Sequence, residues 1–201
     1  MKIILIISIL SCVKLSAQLN IAVTGGLNYS NVNSILFGKN YYNELNKYYK
    51  YQAFGNLGIE MTFMNKRFSY GAGLIYSYRG TRDYYVPLIF FRNGYAIDMS
   101  GYLELPLKIN YNYFKQIFDS GIDVILHKRV YDGVSYYNER NKLYGLDVRI
   151  SSSWNINRYL AIVPSYTFGN LDKYIANTYG NFLHHVFALN LRYTFMHLNK
   201  K

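Results

Sequence analysis

The chain has 201 residues, with 22 Lys and Arg against 11 Asp and Glu and a formal net charge of +11. Charged residues make up only 16% and aromatics 18%, with 24 tyrosines, whereas soluble proteins average about 25% charged residues. The length suits one domain and is thin for two; a mean hydropathy of −0.07 excludes a helical membrane bundle but not a membrane barrel, whose lumen residues dilute the apolar ones.

Met1-Lys2 leads into the run Ile3 to Leu10, broken only by Ser8, and then into Ser16-Ala17-Gln18. A basic start, a short apolar core and small residues at a cut site describe a secretory signal peptide. Residues 1–17 are therefore expected to be removed, leaving 18–201 as one domain. The run is well short of the ~20 residues needed for a spanning helix, which disfavours an anchor. A lipoprotein signal on Cys12 is disfavoured because the bulky Leu10 fits that pattern poorly. Cleavage also removes the only cysteine, Cys12, so stability is expected from the sheet without disulfides.

Beyond residue 18 the chain reads as strands of about 9 to 13 residues with period-two alternation. The first is Leu19–Tyr29, followed by the polar, aromatic stretch Ser30–Lys50. Tyr51–Phe63 and Phe68–Arg79 form a hairpin around Asn65-Lys66-Arg67. A long loop, Gly80–Gly101, precedes the purest strand, Tyr102–Tyr111. There Leu103, Leu105, Leu107 and Ile109 alternate with Tyr102, Glu104, Pro106, Lys108 and Asn110. Pro106 has no N–H to donate, so a bulge or a missing ladder bond is expected beside it. Gln116–His127 follows a short turn. After the loop Lys128–Asn141 come Lys142–Trp154 and Tyr159–Gly169, joined by Asn155–Arg158. The last loop, Asn170–Leu183, leads to His184–Phe195. Strands that are even in number and joined alternately by short turns and long loops predict an all-β fold: an eight-stranded antiparallel up-and-down transmembrane β-barrel. Both ends of the mature chain then fall on the short-turn side.

The two faces of these strands distinguish a membrane barrel from a soluble one of lipocalin type. The apolar faces carry no Asp, Glu, Lys or Arg, as a lipid face requires, since Arg or Lys at mid-depth costs about 2–4 kcal/mol. The polar faces hold Glu60, Arg79, Glu104, Lys108, Asp119, Asp123, Asp147, Arg149 and Arg192. Charges of both signs in near balance suit a narrow lumen, where unpaired charge is costly and paired, hydrogen-bonded charge is tolerated. Glu60, Lys108, Asp119 and Arg192 are expected toward the turn end and Glu104, Asp123, Asp147 and Arg149 nearer the middle. An eight-stranded interior is just wide enough to be filled by side chains. Phe54, Ile75, Tyr102 and Tyr159 are expected to plug it with these charges, which excludes a general-diffusion pore.

Several short motifs resemble the PorT-like outer-membrane β-barrel family of Bacteroidota. They are Ser16-Ala17-Gln18, Gly26-Leu27-Asn28-Tyr29-Ser30, Tyr102-Leu103-Glu104-Leu105-Pro106-Leu107-Lys108, Leu143-Tyr144-Gly145-Leu146-Asp147 and Tyr166-Thr167-Phe168-Gly169-Asn170-Leu171. The Leu-Glu-Leu-Pro core is the most specific. The resemblance implies a barrel in the cell outer membrane. It does not carry over an activity, because only some relatives are tied to secretion and gliding. The chain departs from the general outer-membrane pattern by running past Phe195 to Lys201.

No catalytic motif is present. His184-His185 with Ser100 or Ser135 and Asp98 or Asp132 could serve a lipid-modifying hydrolase only if the fold brought them within hydrogen-bond reach. His127, His184, His185 and His197 show no metal-ligand spacing, and His127 reads as a lumen histidine near Asp123. Gly71-Ala72-Gly73 lies inside a strand and relieves lumen crowding. No cofactor is expected. The presumed outer side is basic and tyrosine-rich: Lys39, Tyr41, Tyr42, Tyr84, Tyr85, Arg92, Lys128, Arg129, Tyr136 and Tyr137 form a candidate binding surface. Such a rim suits anionic lipopolysaccharide headgroups, or a glycan or protein held by Tyr and Arg. An exported monomer with these loops does not meet nucleic acid.

Overall fold

The computed structural model describes residues 18–35, 49–65, 67–85, 94–113, 117–132, 144–171 and 181–198; for 31–35, 49–50, 81–85, 94–99, 131–132, 170–171 and 181–184 it describes the backbone alone. Residues 1–17, read above as a signal peptide, lie outside it. The described strands are β1 (Gln18–Ile35), β2 (Tyr49–Lys50), β3 (Gln52–Asn65), β4 (Phe68–Tyr85), β5 (Gly94–Tyr113), β6 (Phe118–Asp132), β7 (Tyr144–Asn155), β8 (Leu160–Leu171) and β9 (Asn181–Leu198). β2 continues β3 across Tyr51 and pairs with the same neighbour, β4, so the two are one stave of an eight-stranded barrel. Every pairing is antiparallel, and β1 closes the sheet by pairing with both β3 and β9. Closure leaves no strand edge to template aggregation. Gln18 and Leu198 lie at the end of the barrel that carries the short connections after Asn65, Tyr113 and Asn155. This is called the turn end below, and the opposite end the loop end.

Burial inverts the pattern of a soluble sheet. Along β5 the outward Leu103, Leu105, Leu107 and Ile109 are 39–57% exposed, while the inward Glu104 and Lys108 are 1% and 8% exposed. Apolar side chains face outward around the wall, from Leu27 and Leu57 to Leu146, Ile150 and Leu191. Aromatic rings border this belt. At the turn end Phe68, Tyr111, Tyr113, Phe118 and Trp154 make a chain of ring contacts across β4 to β7, with successive centroids 5.2, 4.8, 5.8 and 6.4 Å apart. Toward the loop end Tyr51 stacks on Tyr29 at 5.0 Å and meets Phe187 at 6.1 Å. From Tyr144 to Trp154, β7 runs roughly 33 Å. A tilt of about 45° leaves about 23 Å along the barrel axis, close to the ~25 Å apolar band of membrane barrels.

The strands are longer than alternation alone predicts. β5 has 20 residues and β1, β4 and β9 have 18. Much of Gly80–Gly101, expected as loop, is a hairpin in which Tyr84 pairs with Tyr95 and Tyr85 with Gly94. Lys128 and Arg129, also expected in a loop, belong to β6 and pair with Leu103 and Tyr102 of β5, and β9 continues past Phe195 to Leu198. Past the apolar belt both faces of a strand meet polar surroundings. Backbone pairing then persists without the alternating pattern that reveals it in sequence.

The ladder is interrupted at the prolines. β4 and β5 pair through Ala72–Leu107 and resume at Ile75–Glu104 in unchanged register, so the rung opposite Pro106 and the next one, at Leu105, are missing. On its other side Pro106 pairs regularly with Ile125. Gly73 makes room for the ring: a Cβ there would lie 3.3 Å from Pro106 Cγ. Pro164 interrupts β7–β8 in the same way, between Ser151–Ser165 and Trp154–Ile162.

Candidate functional site

Alternation puts one face of every stave into the lumen, and register decides which charges meet there. Asp123 on β6 lies directly opposite Lys108 on β5 and Arg149 on β7. Glu104 is the centre of the cluster. Its Oε1 accepts from Arg79 Nε at 3.0 Å, from Arg79 Nη2 and from Ser77 Oγ; its Oε2 accepts from Arg149 Nη2 at 2.7 Å. Arg79 Nη1 donates to Asp147 Oδ2 at 2.6 Å, and its guanidinium sits 5.2 Å from the Tyr102 ring centroid. Arg149 Nε donates to Thr167 Oγ1 at 3.0 Å.

Closer to the turn end, Lys108 Nζ donates to Glu60 Oε1 at 2.5 Å. That bond spans from β5 to β3 across β4, where Gly71 faces Lys108 and Gly73 faces Glu60. The two glycines leave the path clear. Asp123 is fully buried, 4.0 Å from Lys108 Nζ and 3.8 Å from Arg149 Nη1. Arg192 Nη2 lies 3.8 Å from Asp119 and donates to Ser153 Oγ at 2.7 Å. The nine charges thus form a column from mid-barrel to the turn end. Each charge lies within 4.0 Å of an opposite one, which a low-dielectric interior requires of buried ions.

Phe54, Ile75, Tyr102 and Ile125 fill the rest of the middle. Tyr159 does not join them. It is 36% exposed at the turn end, with Arg158 4.4 Å above its ring. Asn157 Oδ1 accepts from the N–H groups of Tyr159 and Leu160, and this turn places Tyr159 on the wall beside Tyr193. Two spaces remain. One of about 10 Å³ lies between Asn28, Arg79, Glu104 and Asn190, enough for one water. The other, about 370 Å³, opens at the turn end between Asn20, Asn110, Asn112, Asp119, Arg192 and His197. The lumen is a cup, open at the turn end and closed at mid-barrel.

Sequence reasoning did not single out Ser77, Thr167 and Ser153 as hydrogen-bond partners of these charges. It also missed the carboxamide cluster in which Asn56 Nδ2 donates to Asn28 Oδ1 at 2.5 Å and to Asn190 Oδ1 at 2.9 Å. Their polar positions on the lumen face were the available signal; their partners lie on staves remote in sequence.

Of the candidate hydrolytic residues, the two whose side chains are described, Ser100 and His185, are not brought together. Ser100 is buried on β5, across the barrel from His185 on β9. His185 Nδ1 lies 2.5 Å from the Tyr166 hydroxyl. Only the backbone is described for Asp98, Asp132 and His184, and Ser135 lies outside the described residues. His127 Nε2 is 3.2 Å from Asp147 Oδ1, so its acidic neighbour is across the strand and not Asp123 on its own strand. No group of three metal-ligating side chains occurs among the described residues. Of the loop surface, Lys39, Tyr41, Tyr42, Arg92, Tyr136 and Tyr137 lie outside the described residues. Tyr84 and Tyr85 are on β4, Arg129 is on β6, and Lys128 Nζ sits 5.6 Å from the Tyr144 ring centroid.

No protein-family model and no curated protein matches the chain. Among solved structures it is similar to Neisserial surface protein A, at 12% identity over 87% of this chain and 97% of that one, with a TM-score of 0.52. More distant matches are Ail of Yersinia pestis (13% identity, 89% and 99% covered, TM-score 0.48) and the outer membrane protein OprG of Pseudomonas aeruginosa (12%, 88% and 95%, 0.45). At these identities the likeness is one of fold: a closed, eight-stranded antiparallel β-barrel of the kind found in outer-membrane proteins.

Proposed function

We propose that this chain is a non-enzymatic outer-membrane β-barrel that acts through its loop end, by surface binding or by organising the envelope. The observation that carries the reading is the closed middle of the lumen. A barrel filled by the Arg79–Glu104–Arg149 cluster, Tyr102 and Ile125 conducts no solute, and its chemistry is left to what protrudes. The segments expected at the loop end are basic and rich in tyrosine in sequence. Lys39, Tyr41, Tyr42, Tyr84, Tyr85, Arg92, Lys128, Arg129, Tyr136 and Tyr137 supply rigid amphipathic rings and cations suited to anionic headgroups, glycans or protein. Residues 1–17 act as an export signal in this reading, and the motifs shared with the PorT-like barrels of Bacteroidota support the same envelope. The barrel works as a monomer, in contact with lipopolysaccharide and with an extracellular or envelope ligand.

The test is photocrosslinking in intact cells from positions 41, 84 and 136. A discrete adduct, lost on competition with the purified partner or with lipopolysaccharide, is expected. Absence of any adduct from all three positions, with the barrel correctly inserted, would sink the surface-binding reading. Mass profiling of lipid A after changing Ser100, Ser135, His184 or His185 to Ala addresses catalysis: an altered profile in any of the four would overturn the non-enzymatic assignment.

A further inference from the structure

The outward faces of the strands hold one charge. Among the described side chains, Lys128 is the only Lys, Arg, Asp or Glu that a strand points away from the lumen, opposite in sense to the buried His127 before it. It stands where the apolar belt ends toward the loop end. Its cross-strand neighbours are Leu103 and Tyr144, and along β6 it lies between Leu126 and Val130, so no carboxylate beside it on the wall neutralises it. Its Nζ sits 5.6 Å from the Tyr144 ring centroid, which holds the ammonium to the wall at the edge of the belt. The wall below it is aliphatic. The next rung toward the turn end is Leu105–Leu126–Leu146, and the two after it, centred on Val124 and Ile122, add only Leu, Val and Ile. These rungs make a plate three staves and about 10 Å wide with no ring in it. From Lys128 to Ile122 it runs about 20 Å along the strand. A tilt of about 45° makes that about 14 Å in depth, roughly one leaflet of the ~25 Å apolar band. The far wall differs: there Tyr29, Phe187 and Tyr166 share a rung.

A lysine at the edge of the belt costs little, because its stem lies on apolar surface while the ammonium reaches water. With no acid beside it on the wall, the charge of Lys128 is offered to the headgroup layer. A zwitterionic headgroup brings an ammonium of its own. A phosphate monoester is net negative and complements a single lysine. The plate beneath has room for more than one acyl chain, which a headgroup contact alone does not need. We propose that Lys128 and this plate dock one phosphorylated, multi-acyl lipid of the outer leaflet, the lipid A of lipopolysaccharide. Lys128 takes a headgroup phosphate, and β5, β6 and β7 take acyl chains. The inference rests on the reading above that the loop end faces outward, and it names the place on the wall where lipopolysaccharide is held.

The test mixes the full barrel, in a neutral detergent, with diphosphoryl lipid A, with the same lipid stripped of its phosphates, or with phosphatidylethanolamine. Retention is read by native mass spectrometry. Preferential retention of diphosphoryl lipid A is expected. Lys128→Gln should lower it about fivefold, the loss of one lysine at a lipid surface, and Lys128→Arg should restore it. Arg158→Gln, which removes the cation over Tyr159 at the turn end, should leave it unchanged. Excess sodium phosphate should not displace the lipid, because its acyl chains hold it to the plate. Lys128→Met stands in if the Gln variant lacks the heat-modifiable gel mobility of a folded barrel. Equal retention of either comparison lipid, retention unchanged in the Lys128 variant, an equal loss in Arg158→Gln, or displacement by phosphate overturns the proposal and leaves the loop-end reading standing. Orientation is read separately, by labelling Tyr84→Cys in intact cells with a membrane-impermeant maleimide. Labelling is expected, and its absence would overturn both readings.

Discussion

Glu104 accepts hydrogen bonds from two guanidiniums and a hydroxyl while 1% exposed, so its removal takes a shared carboxylate from two buried cations and leaves Arg79 with Asp147 and Arg149 with Thr167 and the more distant Asp123. Glu104→Ala should lower stability by about 3–5 kcal/mol, the cost of breaking a buried pair from one side, read as a lower urea midpoint in lipid vesicles. Arg192→Ala should cost less. Its carboxylate partner is 3.8 Å away and beside the open cup, where water reaches both charges. A Glu104 variant no less stable than Arg192→Ala would refute the central place given to Glu104. At this scale the sequence was informative about which side chains point inward, since parity along a strand decides that. It was silent on who meets whom. Glu60 and Lys108 come together only because Gly71 and Gly73 leave β4 bare between them.

Along β5 the outward positions should respond to charge according to their depth. Leu107→Arg puts a cation on the outer belt at mid-depth and should cost about 2–4 kcal/mol in a bilayer, whereas Tyr113→Arg at the interface should cost about 0–1 kcal/mol. Equal, negligible effects at both positions in the same urea titration would mean that the belt does not face lipid. The missing rung beside Pro106 makes a second prediction for the same strand. Pro106→Ala supplies an N–H facing β4, and hydrogen exchange at position 106 should be slow, in a closed ladder. The net stability change should stay within about 1 kcal/mol, because a new hydrogen bond of about 0.5–1.5 kcal/mol is offset by the greater freedom of the unfolded chain without proline. Fast exchange at that amide would show that the ladder opens there for another reason. The interruption itself was legible from one residue type. The hairpin Thr81–Tyr85 with Gly94–Ser100 was not, because beyond the belt neither face is apolar and alternation no longer reports pairing.

For the whole molecule, closure and filling act together. Eight staves leave an interior that side chains can occupy, and Phe54, Ile75, Tyr102, Ile125 and the charge column occupy it from mid-barrel downward until the cup begins. Purified barrel in planar bilayers should therefore show no steady single-channel conductance. Reproducible open steps in the unaltered protein would contradict the closed middle. The same closure separates Ser100 from His185 by the width of the barrel, which leaves them unable to share a proton within one site.

The sequence by itself determined the class of fold, the strand faces and the inward position of all nine lumen charges, because a pleated strand next to lipid tolerates one pattern only. Tertiary structure decided the rest. Register across staves remote in sequence chose the partners of each charge, small residues on intervening strands opened the paths between them, and a turn moved Tyr159 from the lumen to the wall. The cup at the turn end belongs to this second group: its polar lining comes from β1, β5, β9 and the turn after β7, which only the closed sheet brings together.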